Sequence, residues 1–409
     1  MPKTSSAASA RTRVRAIADA AARWCDADFP PRVRAAVAIE RRLGYSQPVV
    51  DVALDRLFGG LTAAALEAAI ADELGTLDAL DGFVERPGRP PAWARATGAV
   101  TIVSSDTTIG VAIPALAFAL AAHCTVTVKD RSDDLVAAFA ETLAEELPAF
   151  GATLSVQRWS GGADKRESLV LGAAAVVVAF GSDDALLAIR ARCAPGATFV
   201  PFGRRASAGY VDRAALASDA AALAGAIARD ALLYDGDGCL SLHLLYVERA
   251  ADGAHERLVD ALAEACADAV VEFPPGRRPP ERAARAQAFA AAGAFRAAQG
   301  QGRSIRAADG AWSIVTDPPR DQPLPLGAGT LPVIFVDGID DAAADLRERG
   351  IPLQALGVAA PGAADVTRLA EAFGAVRIAA FGSMQDPPLA GRHGGRARIA
   401  DFVRWVDRA

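Results

Sequence analysis

The sequence predicts an α/β protein made of two doubly wound, Rossmann-like domains. A chain of 409 residues is too long for one ordinary core. Between residues 98 and 202, short β-rich runs alternate with helical ones, and a second alternation follows residue 240. Apolar strands separated by helices are typical of a parallel sheet covered on both faces. Because clefts between domains favour small-molecule chemistry, we expect the active site in the cleft between these two domains.

The N-terminal region, residues 1–97, is predicted to be helical and to pack on the first α/β domain. Apolar residues recur there at helical spacing, as in Leu66, Ile70 and Leu74. The proline-rich stretch 87–91 then interrupts the helical pattern.

Residues 98–230 form the first predicted α/β domain. Its strands are expected at 99–104, 125–129, 152–157, 174–180 and 197–202, and its helices at 114–122, 133–147, 183–192 and 212–230. Sheets of this kind bind ligands at the carboxyl ends of their strands. No GxGxxG sequence occurs, so the common dinucleotide fingerprint is absent.

Residues 231–382 form the second predicted α/β domain, which carries the candidate catalytic residue. Its elements are expected at 240–247, 253–269, 280–298, 312–316, 333–336, 340–349, 353–358 and 376–380. The remaining segment, 383–409, is predicted to return to the first domain or to a dimer interface, and to end in a helix at 397–406.

The best candidate for chemistry is Cys239, which follows Asp235-Gly236-Asp237-Gly238. Glycine and aspartate favour turns, and the apolar residues from Leu240 onward predict a buried strand. A thiol in such a turn has backbone amides around it and is open to a substrate carbonyl, as a nucleophile that attacks acyl carbon requires. The alternative is a buried structural cysteine. His243 is more readily a core histidine than a catalytic base.

Composition narrows the possible partners and compartments. The net charge of −6 offers no general attraction to nucleic acid or to an anionic membrane. The five cysteines are odd in number, widely spaced and without a CxxC pair, which argues against disulfides or a zinc site. The longest apolar run, 109–122, contains Pro114 and is shorter than the roughly 20 residues that span a bilayer. We therefore expect a cytoplasmic protein with no membrane span, no metal and no nucleic-acid partner.

Seven segments, in order, resemble the acyl-CoA reductase branch of the aldehyde dehydrogenase superfamily, which includes the long-chain fatty acyl reductase subunit of bacterial luciferase operons. They are Leu43-Gly44-Tyr45-Ser46, Ala79-Leu80-Asp81-Gly82-Phe83, Val111-Ala112-Ile113-Pro114-Ala115-Leu116, Val126-Thr127-Val128-Lys129, Ala179-Phe180-Gly181-Ser182-Asp183, Gly238-Cys239-Leu240-Ser241, and Met384-Gln385-Asp386-Pro387-Pro388-Leu389 with Phe402-Val403-Arg404-Trp405-Val406-Asp407. Each segment is weak alone, but together they span nearly the whole chain. The resemblance implies an aldehyde dehydrogenase-like fold with Cys239 as the acyl-accepting nucleophile.

The resemblance also implies a nicotinamide cofactor. Lys129 matches the lysine that contacts the adenosine ribose, and Gly181 with Ser182 matches the turn beside the phosphates. Relatives that prefer NAD carry a glutamate three positions after this lysine, where this chain has Ser132. Because Arg131 beside it can pair with a 2′-phosphate, we expect NADPH, with NADH as a possible alternative. Asp130 weakens this expectation.

Two departures from the superfamily pattern concern the chemistry. The stretch 202–207, where hydrolytic relatives carry a general-base glutamate, contains no carboxylate. Without a base that activates water, an acyl-cysteine persists until it is reduced. The oxyanion-hole asparagine is replaced by Asp106-Thr107-Thr108, where the Thr107 hydroxyl is the substitute donor, together with the Cys239 amide.

These residues predict NADPH-dependent reduction of an acyl thioester to an aldehyde through an acyl-cysteine intermediate. The acyl group is expected from acyl-CoA or from an acyl donor protein, such as an acyltransferase or an acyl-protein synthetase. The alternatives are an NAD(P)-dependent aldehyde or semialdehyde dehydrogenase, including a phosphate-dependent one, and a catalytically weakened paralogue that binds nucleotide or acyl groups. The superfamily implies a homo-oligomer.

Overall fold

The computed structural model describes residues 8–105, 108–131, 135–159, 165–360, 362 and 366–408. The chain divides into two compact units. Unit 1 contains residues 1–42, 51–204 and 388–409, and unit 2 contains residues 43–50 and 205–387. Each unit has its own sheet of mostly parallel strands. The predicted α/β class with two parallel sheets is confirmed.

The described chain begins with four helices: α1 (Ala10–Trp24), α2 (Pro30–Leu43), α3 (Gln47–Gly59) and α4 (Ala63–Leu74). They belong to unit 1 except for residues 43–50, which include the start of α3. Side-chain caps define two of the starts, because the Ser9 and Thr62 hydroxyls each accept a backbone N–H in the first turn. The helical pattern was predicted from about residue 11 to Leu80, and the helices of this segment end there. Beyond Leu80, β1 (Val84–Arg86) and β2 (Arg89–Ala96) form an antiparallel hairpin across the proline-rich stretch.

The five-stranded sheet of unit 1 contains β3 (Ala99–Val103), β4 (Thr125–Lys129), β5 (Leu154–Gln157), β6 (Val176–Phe180) and β7 (Thr198–Phe202). The connecting helices are α5 (Ile113–Ala121), α6 (Leu135–Glu146), α7 (Pro148–Gly151), α8 (Lys165–Ala173) and α9 (Asp183–Arg190). All strands are parallel, in the order β5-β4-β3-β6-β7. The strand order reverses between β3 and β6, where doubly wound sheets bind ligands.

Unit 2 begins with β8 (Ala206–Val211), α10 (Arg213–Leu216), α11 (Ala220–Leu232), β9 (Leu242–Glu248), α12 (Ala254–Glu272) and α13 (Pro280–Ala298). It continues with β10 (Ser304–Arg306), β11 (Ser313–Thr316), β12 (Thr330–Val336), α14 (Ile339–Glu348), β13 (Leu353–Val358), α15 (Val366–Phe373) and β14 (Ile378–Ala380). The sheet order is β10-β11-β12-β9-β8-β13-β14, and only β10 pairs antiparallel.

The division between the units lies at residue 204, whereas the sequence pattern placed it at residue 230. The reason is β8, which the pattern missed and which pairs with both β9 and β13. The single helix expected at 212–230 is also interrupted. Asp219 breaks it by capping the start of α11 with its carboxylate.

The C-terminal segment differs most from its prediction. In place of a helix at 397–406, the structure has a 3₁₀ turn (Ala400–Phe402) and then β15 (Val403–Asp407). β15 pairs antiparallel with β2, so that β1, β2 and β15 form a small sheet within unit 1. Val403, Trp405 and Val406 favour a strand once a partner strand is available. A role of this segment in a dimer interface stays a prediction.

Among the described residues, no helix is both long enough and apolar enough to cross a membrane. The helices instead cover the sheets. In unit 2, α11 and α12 pack on one face of the sheet through a cluster that includes Leu223, Ile227, Leu258 and Leu262. α14 and α15 contribute to a separate cluster with Tyr210, Tyr246 and Leu356.

Gly209 in β8 lies where no side chain fits. A Cβ there would come within 2.7 Å of the Phe381 ring and 2.9 Å of Leu245. We expect Gly209→Ala to lower the free energy of unfolding by about 1–3 kcal/mol through overpacking, measured by urea denaturation. Gly225→Ala in α11 is the control, because its Cβ would meet nothing within 4 Å and alanine favours a helix. Equal stability of the two variants would contradict the packing described for β8.

Candidate functional site

Cys239 lies in the turn that joins α11 to β9, in unit 2. Three consecutive residues of this turn have left-handed backbone conformations: Tyr234 at φ 60°, Asp235 at φ 55° and Gly236 at φ 70°. Glycine adopts this region freely, whereas tyrosine and aspartate do so only when their surroundings hold them there. The predicted glycine- and aspartate-rich turn is therefore confirmed as a turn, and its conformation needs external support.

Two arginines near the start of α13 supply part of this support. Arg278 donates two hydrogen bonds of 2.7 Å to the Asp235 carboxylate, and Arg282 forms an ion pair with Asp237. The Asp235 side chain is only 9% exposed, so its charge requires a partner. Burial raises the pKa of Asp235 above its ordinary value, and it raises that of Asp237 to about 6, against the opposing effect of the arginines.

The buried side-chain amide of Gln385 makes hydrogen bonds to residues at both ends of the turn. The Gln385 side chain donates to the carbonyl oxygens of Asp230 (3.1 Å) and Leu233 (3.3 Å), and its oxygen lies 3.2 Å from the Ser241 hydroxyl. Ser241 in turn accepts from the Gly238 N–H at 3.0 Å. The sequence resemblance included Gln385 but gave it no role. The structure connects it to residues on both sides of Cys239.

The environment of the Cys239 thiol has two opposing effects on its pKa. Solvent reaches the side chain, yet enough protein surrounds it that desolvation raises the pKa of the thiol. The backbone amides of Cys239 and Leu240 act in the other direction and lower that pKa by stabilising the thiolate. The thiol is therefore accessible, and the amides of its own turn favour its charged form, as a nucleophile requires.

His243 lies in β9 and is 5% exposed. Its Nδ1 accepts a hydrogen bond from the Ser207 backbone N–H at 3.0 Å. A backbone amide always donates, so this nitrogen carries no proton and the imidazole has a structural task. This agrees with the prediction of a core histidine.

The residues predicted for the cofactor lie in unit 1. Lys129 ends β4 at the carboxyl edge of the five-stranded sheet, beside Val103 in β3, which is itself beside Ala179 in β6. Because parallel strands lie about 4.8 Å apart, Lys129 and the turn that follows β6 share one edge at a separation of roughly 10 Å. The sheet therefore brings Lys129, Gly181 and Ser182 to one side.

Lys129 has a partner that the sequence did not reveal. Its Nζ lies 2.5 Å from the Glu167 carboxylate of α8 and 5.4 Å from the centre of the Trp159 ring. Both charged side chains are buried, at 5% and 3% exposure. The Trp159 indole nitrogen is also buried, without a hydrogen-bond partner among the described residues. A donor, an acceptor and a spare N–H at this edge fit the hydroxyls and ring nitrogens of an adenosine.

The remaining predicted cofactor residues give a mixed result. Ser182 caps α9 by accepting the Ala185 N–H, and the exposed Asp183 and Asp184 lie in the first turn. These carboxylates stabilise the helix start but oppose a close pyrophosphate. Arg131 is exposed. Ser132, Asp106 and Thr107 lie outside the described residues, so the roles expected for Ser132 and Thr107, like the cleft location of the active site, stay predictions.

The ion pair between Arg278 and Asp235 is open to a direct test. Arg278→Ala leaves a buried carboxylate without its bidentate partner, and we expect the free energy of unfolding to fall by about 3 kcal/mol. Arg257→Ala is the control, since its pair with Asp252 is exposed at 60% and 67% and should leave the urea midpoint unchanged. If both variants unfold at the same urea concentration, the ion pair does not support the turn.

Comparison with known proteins agrees with the geometry. The model of the acyl-CoA reductase (LuxC) family matches residues 7–405. No curated protein sequence matches the chain. An NAD-dependent benzaldehyde dehydrogenase from Corynebacterium glutamicum has a similar structure over 98% of this chain and 86% of its own, with 16% identity and a TM-score of 0.70. An NADP complex of glyceraldehyde-3-phosphate dehydrogenase from Methanocaldococcus jannaschii matches 97% of this chain and 89% of its own, with 13% identity and a TM-score of 0.70.

A third structure, an NAD-dependent aldehyde dehydrogenase from Sinorhizobium meliloti, covers 98% of this chain and 82% of its own at 15% identity and a TM-score of 0.72. Identities this low establish the fold alone, whereas the family match extends over nearly the whole sequence. The chain therefore belongs to the acyl-CoA reductase family within the aldehyde dehydrogenase fold, and it is an aldehyde-forming oxidoreductase.

Proposed function

We propose that this enzyme reduces an acyl thioester to an aldehyde through an acyl group held on Cys239. The observation that supports the proposal is an accessible Cys239 thiol in a turn whose Cys239 and Leu240 amides lower the pKa of that thiol against the effect of burial. Family membership supplies the substrate class, which is an acyl-CoA in the simplest case.

In the first step, the Cys239 thiolate attacks the thioester carbonyl. A carbon–sulfur bond to Cys239 forms, the bond to the donor sulfur breaks, and the donor leaves as a thiolate that takes up a proton. The loop amides that stabilise the thiolate before attack can also donate to the carbonyl oxygen as it gains negative charge. Residues 202–207, at the end of β7 and the start of β8, contain no carboxylate that could activate water against the acyl-cysteine.

The cofactor in this proposal is NADPH, with NADH as the second candidate. Lys129, Glu167 and Trp159 would hold the adenosine end, and Arg131 would face a 2′-phosphate. When bound, the nicotinamide supplies the hydride that converts the acyl-cysteine to an aldehyde. Glu167 opposes the choice of NADPH, because it neutralises Lys129 and places a carboxylate where a 2′-phosphate would approach.

Three further features belong to the proposal: the acyl donor and the oligomeric state derive from family membership, and the compartment derives from the spacing of the cysteines and the short apolar runs. The acyl group arrives from acyl-CoA or from a donor protein such as an acyltransferase or an acyl-protein synthetase. The protein is a cytoplasmic homo-oligomer. An aldehyde dehydrogenase that uses phosphate and a weakened acyl-binding paralogue are the competing functions, and the following experiment separates them from the reductase.

Intact-mass spectrometry tests the acyl-enzyme directly. After incubation with a panel of acyl-CoAs without cofactor, we expect a mass increase equal to one acyl group, and addition of NADPH should remove it as aldehyde. Cys239→Ala should show no increase, whereas Cys25→Ala, which removes another exposed thiol, should behave as the wild type. An adduct that survives in Cys239→Ala would assign the chemistry to another residue. An adduct that NADPH and NADH both leave in place would favour the weakened paralogue.

The cofactor assignment predicts an effect of Glu167→Gln. Removing this carboxylate releases the charge of Lys129, so 2′,5′-ADP should bind roughly tenfold more tightly relative to 5′-ADP, as measured by isothermal titration calorimetry. Glu141→Gln, an exposed carboxylate on α6 of the same unit, should leave the ratio unchanged. Circular dichroism checks the fold of both variants. An unchanged ratio in folded Glu167→Gln would remove Glu167 from the cofactor site.

A further inference from the structure

Ser207 contacts the peptide group that follows the candidate nucleophile. Its hydroxyl donates a hydrogen bond of 2.8 Å to the carbonyl oxygen of Cys239. Ser207 is fully buried, and it lies on β8, 32 residues away in sequence. The other contacts that hold the turn involve Asp235, Asp237 and Ser241, so this is a separate point of support for Cys239 itself.

The hydrogen bond from Ser207 also affects the N–H of Leu240, because that N–H belongs to the same peptide group as the Cys239 carbonyl. The carbonyl oxygen of Cys239 and the N–H of Leu240 belong to one planar trans peptide, in which they point in opposite directions. Fixing the oxygen therefore fixes the direction of the N–H. That N–H is one of the two amides that stabilise the Cys239 thiolate.

We propose that Ser207 is a positioning residue that directs the Leu240 N–H at the sulfur of Cys239 by holding the opposite end of the same peptide group. It acts through the backbone and does not touch the substrate. The inference rests on the proposed role of Cys239 as the nucleophile.

The local irregularity of the sheet supports this role. Ser207 is in register with Leu242, but the next pair is Ala208 with Leu244, so His243 is an extra residue in β9. Bulges of this kind redirect side chains and are frequent beside active sites. Here the bulge allows the Ser207 N–H to donate to the His243 imidazole, which anchors the serine backbone while its hydroxyl reaches Cys239. The bulge, His243 and Ser207 would together fix the orientation of the peptide group between Cys239 and Leu240.

The test measures the thiol without substrate or cofactor. The rate of alkylation of Cys239 by iodoacetamide is followed against pH, with the modified peptide quantified by mass spectrometry. Since only the thiolate reacts, the rate should rise with pH. Desolvation raises the pKa of this thiol above the ordinary value of about 8.5, so the rate should continue to rise above pH 8.5. Loss of an aligned donor disfavours the charged form. Ser207→Ala should therefore move the curve to higher pH by about one unit, a roughly tenfold slower reaction at pH 8.

Three comparisons separate positioning from a general loss of structure. Ser207→Thr keeps the hydroxyl and should restore the wild-type curve. Ser313→Ala removes another buried serine of the same sheet, bonded to Thr330 at 3.2 Å, and should leave the curve in place. Cys25, which is exposed in unit 1, reports in every sample that the reagent acts equally.

Either of two results would overturn the proposal. One is a Ser207→Ala curve that coincides with the wild type; the other is a Ser207→Thr curve that moves as far as Ser207→Ala. The readout is independent of acyl transfer. A shifted alkylation curve in a protein that accepts no acyl group would leave the positioning role intact and remove the reductase function. If Ser207→Ala has an unshifted alkylation curve and forms the acyl adduct as well as the wild type, the reductase function stands and the positioning role of Ser207 is removed.

Discussion

The backbone of residues 234–236 depends on an ion pair more than on its own preferences. Tyr234 and Asp235 have positive φ values that a free chain seldom adopts, and the bidentate bond between Arg278 and Asp235 holds the second of them in place. Buried ion pairs contribute little net stability compared with apolar packing, because both charges lose their hydration. Their two fixed bonds do select one conformation, however. The ion pair between Arg278 and Asp235 therefore serves to fix the conformation of the turn more than to stabilise the protein.

Two opposing effects act on the thiol of Cys239, the proposed nucleophile. The protein around the thiol disfavours the charged form, while the amides of Cys239 and Leu240 favour it. Amide donors are effective only when they are aimed at the sulfur, since a hydrogen bond weakens steeply with angle. Under the proposed mechanism, contacts that hold only the backbone, such as Gln385 with Leu233 and Ser207 with Cys239, would therefore affect the chemistry. In that mechanism they would keep the amide donors aligned before the substrate binds.

Local sequence was sufficient where the local signal was strong. The bounds of β4, α13 and β13 coincide with those predicted, because apolar strands and a proline-started helix need no distant information. β8 was missed, since Ala-Ser-Ala-Gly-Tyr-Val has few β-branched residues and is a strand through its pairing on both sides. β15 was mistaken for a helix because its partner, β2, lies about 300 residues away. The site followed the same rule: the turn of Cys239 was predicted from its glycines, whereas Arg278, Gln385 and Ser207 had no local pattern that connected them to it.

The proposed cofactor site around Lys129 illustrates how folding can change a charge argument made from sequence. Position 132 lacks the glutamate that binds ribose in NAD-preferring relatives, which favoured NADPH. Yet Glu167, 38 residues beyond Lys129, places a buried carboxylate 2.5 Å from the same ammonium group. The electrostatic interaction between two charged groups depends on their separation and on the local dielectric, and not on their distance along the sequence. In the proposed site, Glu167 of α8 would therefore take the part that a glutamate three residues after the lysine plays in NAD-preferring relatives. Under that proposal, the preference between NADPH and NADH is set by the opposing charges of Arg131 and Glu167 at the 2′-phosphate, while Lys129, already paired with Glu167, contributes little to it.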